Sequence, residues 1–564
     1  MGRMPYALFY LCFLLPFALG AQNQQSGQPA ATPVFRVTAH QVQVHVLVHD
    51  KQGRPVANLT KDDFTIYDKG QPQQIRYFAV ETSGAMSEPA PALPPGFVSN
   101  RLGSDPERHD VVPRSLTAVL MDGAGTPTRD QIAWKRGMVK FLQQLQPGDR
   151  VAIYALTDTL HVLHDFTSDT AALVKALEQY RVFLQQPAET QALHSEVERS
   201  FGPVDAGAFA WQRLIFGNAV ATQARQWTQN SLQSLAALRA VANHMAGMPG
   251  RKSLIWLGAG VSINPNGRGA PLPLESRRIL AIAGNTGVAI YPVDARGLIG
   301  VFDYNPTLAA ETPSPLGGAS GRNQIPGQKP LDRVFQTHVA NTHDNMRLIA
   351  DLTGGRAFLN NNDIAGGMRA AMDDSRVSYT LSFSPTHNQW DGRYREIRVK
   401  LREGSGRGNL EARYRKGYYA APLESGDSVL RETALANLLQ SALPATGIGV
   451  RARLVEKRTS GENPISQIQL VLDAHDIIFN PDDQQRWVGD IDLSVEVRDD
   501  NDKPLHNLTR SLHLAANKVT YDEYMQFGIS VRLNVATPAG TMSARIALRD
   551  IVSGLTGSVD LPVR

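Results

Sequence analysis

Cysteine is almost absent from this chain, and its single copy, Cys12, lies in the first apolar stretch. The remaining residues therefore offer no disulfide, no catalytic thiol and no cysteine metal site. A strong charge of one sign is also absent, because 57 Lys and Arg stand against 53 Asp and Glu, a net charge of +4. No dense basic stripe accompanies that small surplus, so nucleic acid is not expected as a partner.

Long apolar runs are absent beyond the N-terminus. The run from Tyr6 to Leu19 follows Arg3 and ends in small residues before Ala21, which predicts a cleaved secretory signal peptide; an uncleaved anchor is the alternative. No later segment approaches the ~20 apolar residues that a membrane span requires. We therefore expect an exported protein, periplasmic or extracellular, with no transmembrane span after signal cleavage.

What is present is enough sequence for several domains, since 42% of the 564 residues are hydrophobic. Residues 37–48 alternate apolar and polar side chains and 65–78 suggest a hairpin, which predicts a small β unit. From residue 115 onward, apolar runs such as SLTAVLM and RVAIYAL alternate with amphipathic helices, and SYTLSFSP (378–385) is the last strand of this series. This alternation predicts a mainly parallel sheet with helices on both faces.

The predicted organisation is α/β at the centre, flanked by β-rich segments and a C-terminal β-sandwich. We expect β segments 34–81 and 390–420 to pack together beside the α/β domain. The expected boundaries are a signal peptide at 1–20, a polar tail at 21–33, a small β unit at 34–81, a Pro-rich linker at 82–113, the α/β domain at 114–386 with insertions near 187–225 and 302–337, a β extension at 387–421, a linker helix at 422–445 and the sandwich at 446–564.

Several phrases, taken in order, resemble one family. They are VLVHDKQGRPVANLTKDDFTIYDKGQPQQIRYFAVE, LQPGDRVAIYAL, HDFTSD, MPGRKSLIWL, VAIYPVDARGL and YREIRVKLR…YRKGYYA. Together they resemble the acidobacterial VWFA-related domain family, secreted bacterial proteins with a von Willebrand factor type A domain. The resemblance covers residues 34–420 and implies a Rossmann-like A domain, a fold generally used for binding in adhesion and assembly.

The resemblance also implies a metal-ion-dependent adhesion site for Mg²⁺ or Mn²⁺, of which this sequence keeps only part. Asp122 matches the first position of the Asp-x-Ser-x-Ser pattern, but Ala124 replaces the first Ser and Thr126 the second. Thr228, or alternatively Ser231, stands for the later Thr, and the acid expected after strand 253–257 is absent. Each lost oxygen must be replaced by water or another side chain. The site is therefore expected to be degenerate.

Two alternatives remain at this loop. Any cation would use Asp122, Thr126 and Thr228, with Asp294 from the neighbouring strand as a substitute ligand. Otherwise Asp122 only accepts hydrogen bonds from the backbone amides of its own loop, as Asp does in turns. The second alternative is favoured, so no resident cofactor is expected. A zinc pair at His45 and His49 lacks a third ligand nearby, and a solvated strand face is expected there.

The resulting functional expectation is a binding protein. Asp122, Thr126, Thr228 and Asp294 line the predicted crevice at the carboxyl end of the sheet, where open α/β folds bind ligands. The expected partner is a protein or a cell-surface polymer. No assembled nucleophile–base pair or phosphate-binding loop is visible, so an enzyme is not expected. A structural envelope scaffold, and a hydrolase using the crevice carboxylates, are the alternatives.

Overall fold

The structure is a computed structural model, and strands and helices are numbered in chain order. It describes residues 41–82, 93–101, 115–181, 206–261, 272–298, 328–386, 391, 393–402, 410–420, 427–458 and 464–563. The predicted signal peptide, the polar tail and much of both predicted insertions lie outside the described residues.

The central domain is built on a five-stranded sheet of order β10-β9-β6-β7-β8. Its first four strands are parallel, and the edge strand β8 runs antiparallel to β7. Three of the parallel strands are buried along their whole length, as their continuous apolar runs predict. The strands are β6 (Ser115–Asp122), β7 (Val151–Leu156), β8 (Leu160–Thr167), β9 (Arg251–Gly258) and β10 (Val288–Asp294).

Helices cover both faces of this sheet, which confirms the α/β prediction. One face carries α1 (Thr128–Leu142), α2 (Thr170–Gln179) and α6 (Ile364–Asp374), whose side chains form one apolar core with the sheet. The other face carries α3 (Ala206–Met245), α4 (Leu274–Thr286) and α5 (Gln328–Thr353) around a second core. The apolar spacing of SLQSLAALRAVANHM predicts a helix over 231–245. In the structure this helix begins at Ala206, inside the predicted insertion near 187–225.

A β-sandwich, here called the flanking sandwich, packs beside the central domain. Its two sheets have the orders β13-β1-β11-β4 and β14-β12-β2-β3 and enclose one apolar core. The ladders between β1 and β13 and between β2 and β12 join segments 34–81 and 390–420, which confirms that they lie together. The strands are β1 (Val42–His49), β2 (Phe64–Asp68), β3 (Gln71–Gln73), β4 (Ile75–Thr82), β11 (Val377–Phe383), β12 (Tyr394–Leu401), β13 (Glu411–Arg413) and β14 (Gly417–Tyr419).

Strand β11 corrects the predicted end of the central domain. The sequence pattern predicts that it completes the parallel sheet, but it pairs antiparallel with β1 and β4 inside the flanking sandwich. The reason is its period-two pattern: Tyr379, Leu381 and Phe383 face the sandwich core. The intervening hydroxyl residues are buried on the other face, where Thr380 donates to Glu81 at 2.7 Å. Burial on both faces made an antiparallel strand look like a parallel one.

The C-terminal region forms the predicted sandwich. One sheet has the order β20-β16-β15-β5, and the other contains β17-β18-β21-β22 with β19 paired to β18. Helix α7 packs on the second sheet through Leu435, Leu438 and Leu439. The elements are β5 (Val98–Ser99), α7 (Ser428–Leu439), β15 (Val450–Arg458), β16 (Ile465–Leu472), β17 (Asn480–Pro481), β18 (Trp487–Arg498), β19 (Pro504–Ala516), α8 (Lys518–Phe527), β20 (Ile529–Ala536), β21 (Ser543–Asp550) and β22 (Thr556–Pro562).

Part of the predicted linker 82–113 is an anchored strand instead. Strand β5 pairs with β15, and the buried Asn100 follows it. The Asn100 side chain donates to the carbonyls of Ala445 and Ile448 at 2.7 and 2.8 Å and accepts from the amide of Val450 at 2.9 Å. An amide side chain satisfies three buried backbone groups in this way, which fixes the segment to the C-terminal sandwich.

Candidate functional site

Asp122 ends β6, at the point where neighbouring strands β6 and β9 connect to helices on opposite sides. Its side chain is buried, with only 1% of the residue exposed. Oδ2 accepts a hydrogen bond from Trp256 Nε1 at 3.0 Å, and Oδ1 accepts a longer one from the amide of Gly125 at 3.4 Å. The carboxylate is therefore held inside the protein by an indole and by its own loop; the turn interpretation of Asp122 predicts only the bond from the loop.

Burial raises the pKa of Asp122 above its ordinary value. The nearby Ser234 hydroxyl, the Trp256 indole and the amides of Gly125 and Ala124 oppose this rise, in that order. Neutral donors of the protein thus face this carboxyl group, and the largest influence on its pKa is the loss of water.

Thr126 closes the same loop. Its hydroxyl donates to the carbonyl of Asp122 at 2.6 Å and accepts from the amide of Ala259 at 3.0 Å. Gln131 of α1 donates to the carbonyls of Gly123 and Thr126 at 3.2 and 2.8 Å. The Thr126 hydroxyl already donates its proton and accepts through one lone pair, so it has little remaining capacity to bind a ligand.

The two positions at which the family pattern requires an oxygen contain none. Ala124 is buried and carries only a methyl group. Gly258 stands where the acid is expected, and a Cβ there would lie 3.0 Å from the Cβ of Asp122 and 3.3 Å from Trp256 Nε1. A larger side chain would press on Asp122 and its indole partner. The absence of a side chain at Gly258 thus leaves space for the hydrogen bond from the Trp256 indole to Asp122.

Thr228 does not meet Asp122 in the way the sequence predicted. It lies in the middle of α3 and is exposed, because the helix begins at Ala206 and no loop precedes residue 231. Ser234, six residues or about 9 Å further along the helix, is buried and is the hydroxyl that acts on the pKa of Asp122. Sequence reasoning missed Ser234, although a serine on the apolar face beside Leu235 and Leu238 was a usable signal.

Asp294, proposed above as a substitute ligand, ends β10 and is held by other side chains. Arg296 binds both carboxylate oxygens, with distances of 2.8 Å from Nε to Oδ1 and 2.9 Å from its NH2 group to Oδ2, and His343 Nε2 lies 2.5 Å from Oδ2. Burial opposes ionisation, but hydrogen bonds from His343 and Arg296 hold the pKa of Asp294 below its usual range. The substitute role is therefore not supported by the geometry.

These residues do not fit Mg²⁺ or Mn²⁺, which require several converging oxygen ligands. The Trp256 N–H bond to Asp122 places a donor against the carboxylate that a cation would need. In the described part of the chain, no three His, Cys, Asp or Glu side chains come together in a way that could hold a metal ion. The site is a hydrogen-bonded joint between the loops after β6 and β9.

The expectation of a solvated strand face at His45 and His49 is wrong. Strand β1 packs its histidines toward the central domain, where His49 Nε2 lies 3.4 Å from Asp374. Desolvation by burial, then the charges of Arg251 and further cations, lowers the pKa of His45 well below its usual value. Both histidines therefore belong to the contact between the flanking sandwich and the central domain.

Comparisons with known proteins give structural likeness only. No family model matches the chain, and no curated protein matches it. The solved structures that match include a von Willebrand factor type A protein from Catenulispora acidiphila, with 10% identity, 68% of this chain and 81% of that chain covered, and a TM-score of 0.25. Another is the vWF domain of the type V pili tip protein Mfa5 from Porphyromonas gingivalis, with 16% identity, 26% of this chain and 38% of that chain covered, and a TM-score of 0.16. A third is the conserved hypothetical protein BatB from Bacteroides thetaiotaomicron (15%, 46% and 95%, TM-score 0.20). Because these TM-scores are low, the fold is assigned from the strand order of the sheet and not from these likenesses.

Within the described residues, no helix combines the length and apolarity needed to cross a bilayer.

Proposed function

We propose that the central domain is a Rossmann-like von Willebrand factor type A-like domain of an exported protein, and that it binds a protein or a cell-surface polymer at the carboxyl end of its sheet. The observation that carries this proposal is the joint at the switch point, where Thr126 bonds to Ala259 and Asp122 to Trp256. Open α/β sheets bind their ligands at this place. We call the exposed and partly exposed residues around this crevice, among them Thr128 and Leu298, the rim. A rim fixed by buried hydrogen bonds loses little conformational freedom on binding, which favours affinity.

Binding at this rim is proposed to need no cation and no other cofactor. The support is the occupation of Asp122 and Thr126 by partners of the protein, together with Ala124 and Gly258 at two ligand positions. Calorimetric titration with Mg²⁺ and with Mn²⁺ is expected to show no saturable heat up to about 1 mM. Saturable micromolar binding that disappears in Asp122→Ala would contradict the proposal.

The proposed role is not enzymatic. A hydrolase acting through the crevice would need a carboxylate with a free oxygen near the substrate. Asp122 and Asp294 are each only 1% exposed, and both accept hydrogen bonds from fixed side chains. This observation supports a binding surface formed by the exposed rim rather than by the buried carboxylates.

An envelope scaffold is the second candidate, because the same burial of the crevice side chains suits a domain that only joins its neighbours. The two roles differ in whether the rim contacts a partner. Rim residues available for a test are Thr128, partly exposed at the start of α1, and Leu298, 59% exposed after β10.

Photocrosslinking in cells that export the protein separates the candidates. A photoreactive amino acid is placed at Thr128 or Leu298, with the exposed Lys175 of α2 as the matched control position. Binding at the rim predicts a discrete adduct from Thr128 and Leu298, unchanged by a chelator and absent from Lys175. A scaffold predicts no such difference between the rim and the control position. The absence of an adduct from both rim positions would contradict the proposed function.

A further inference from the structure

A cavity of about 380 Å³ lies between the central domain and the C-terminal sandwich. Helices α3 and α4 and the turn after β7 form one wall, and α7 with the turn after β21 forms the other. The cavity is partly open to solvent, and its volume falls in the range of small-ligand pockets, which commonly occur at domain interfaces.

Small side chains on facing elements leave this space open. Alanines occupy positions where leucine or isoleucine would close a groove between helices, and they come from α3, the residue after it, α4, α7 and the segment after α7. Larger apolar residues, among them Leu160, Ile282 and Leu555, complete the wall. The alanines are Ala236, Ala237, Ala240, Ala246, Ala281, Ala434 and Ala442. An apolar body would contact hydrocarbon along this wall.

Arginines from both domains line the same cavity. Arg278 of α4 and Arg549 of β21 are 6% and 2% exposed, and Arg239 of α3 joins them. The acid in the lining is the exposed Asp158, whose carboxylate accepts hydrogen bonds from Thr157 and Thr159 of its own turn. Guanidinium groups are the side chains best suited to bind carboxylates and phosphates in partly buried sites.

We propose that this cavity binds an organic anion with an apolar body. Arg278 and Arg549 bind the acidic head, and the alanine-lined wall receives the chain. Amide side chains in the lining, among them Asn243 and Asn285, supply neutral hydrogen bonds. Because the two arginines belong to different domains, such a ligand would also hold the central domain and the C-terminal sandwich together. The lining contains neither Thr128 nor Leu298 of the proposed rim, and the proposal stands whether or not the rim binds a partner.

Calorimetry on the whole purified protein tests the ligand class with three probes. Decanoate carries head and chain, acetate carries the head alone, and octanol carries a chain without charge. Decanoate is expected to bind saturably at one site, about tenfold or more tighter than either partial probe, because a charge-assisted hydrogen bond and the buried chain are both needed. Equal heats for decanoate and octanol, or no saturable decanoate binding at about 1 mM, would overturn the proposal.

Variants then place the probe in the cavity. Arg278→Gln should weaken decanoate binding about tenfold, whereas the matched change Arg136→Gln, at an exposed arginine on the opposite face of the sheet, should leave it unchanged. Ala240→Leu fills the cavity without removing a charge and should abolish binding. Decanoate should also slow amide hydrogen exchange in α4 and in residues 549–556 of the same wild-type protein. Unaltered binding in Ala240→Leu, or protection confined to other regions, would refute the assignment.

Discussion

The indole Nε1 of Trp256 lies 3.0 Å from Oδ2 of Asp122, so that a side chain of β9 supplies the donor for a buried carboxylate at the end of β6. A cation at the same carboxylate would have to displace that N–H. The bond joins the two neighbouring strands at the switch point, and it makes Asp122 part of the buried core. The central domain is thus built to hold its crevice in one conformation.

Trp256→Phe should lower the free energy of unfolding by about 2 to 3 kcal/mol, because Asp122 loses a buried donor. Trp134→Phe is the matched control: this tryptophan is equally buried, and its Nε1 finds no hydrogen-bond partner among the described residues. Urea unfolding of both variants measures the difference. Equal losses would show that the Trp256 bond does not stabilise the fold.

Asp294→Asn should destabilise the protein by roughly 3 to 5 kcal/mol, because Arg296 and His343 keep their positions beside a side chain that no longer carries charge. The control is Asp344→Asn, which removes a half-exposed ion pair with Arg347 and should cost about 1 kcal/mol or less. Denaturant unfolding at neutral pH compares the two. A loss at Asp294 no larger than that at Asp344 would contradict the buried network.

Asn100→Ala should detach residues 93–101 from the C-terminal sandwich. Three buried backbone groups would lose their partner, at a cost of about 3 kcal/mol. Limited proteolysis should then cut near residue 100 in the variant while the wild type resists, and Asn501→Ala, at an exposed turn, should behave as wild type. Resistance equal to that of the wild type would mean that β5 alone holds the segment.

Stability should depend on pH through Asp550, the last residue of β21. Burial raises its pKa from 3.8 to about 6, against hydrogen bonds from Ser553 and the charge of Arg549. The folded state therefore binds a proton more tightly than the unfolded state, so stability falls as the pH rises from about 4 to about 6 and stays reduced above that range. The shift corresponds to about 3 kcal/mol.

Asp550→Asn should remove this part of the pH dependence, because asparagine does not titrate and its carbonyl can still accept from the amide of Ser553, which lies 2.6 Å from Oδ2 of Asp550. Thermal unfolding measured from pH 4 to pH 7 on both proteins gives the comparison, with Asp560→Asn as a control at a half-exposed carboxylate. Parallel pH profiles for wild type and Asp550→Asn would exclude Asp550 as the source.

Local patterns in the sequence determined most of the elements. Continuous apolar runs specified β6, β7, β9 and β10, because a strand buried on both faces needs no polar side, and helix periodicity located the helices that cover them. The loss of metal ligands at Ala124 and Gly258 was also visible in the sequence, since neither residue carries a side-chain oxygen. These features depend on residues that are only a few positions apart in the sequence.

The tertiary structure decided which segments meet. β11 belongs to the flanking sandwich, Asn100 to the C-terminal sandwich, and Ser234 rather than Thr228 to Asp122. Each of these outcomes depends on residues about a hundred or more positions apart, or on where a long helix begins, and periodicity contains no information on either. The Trp256 bond to Asp122 is of the same kind: the sequence contains both residues, but only the pairing of β6 with β9 brings the indole to the carboxylate.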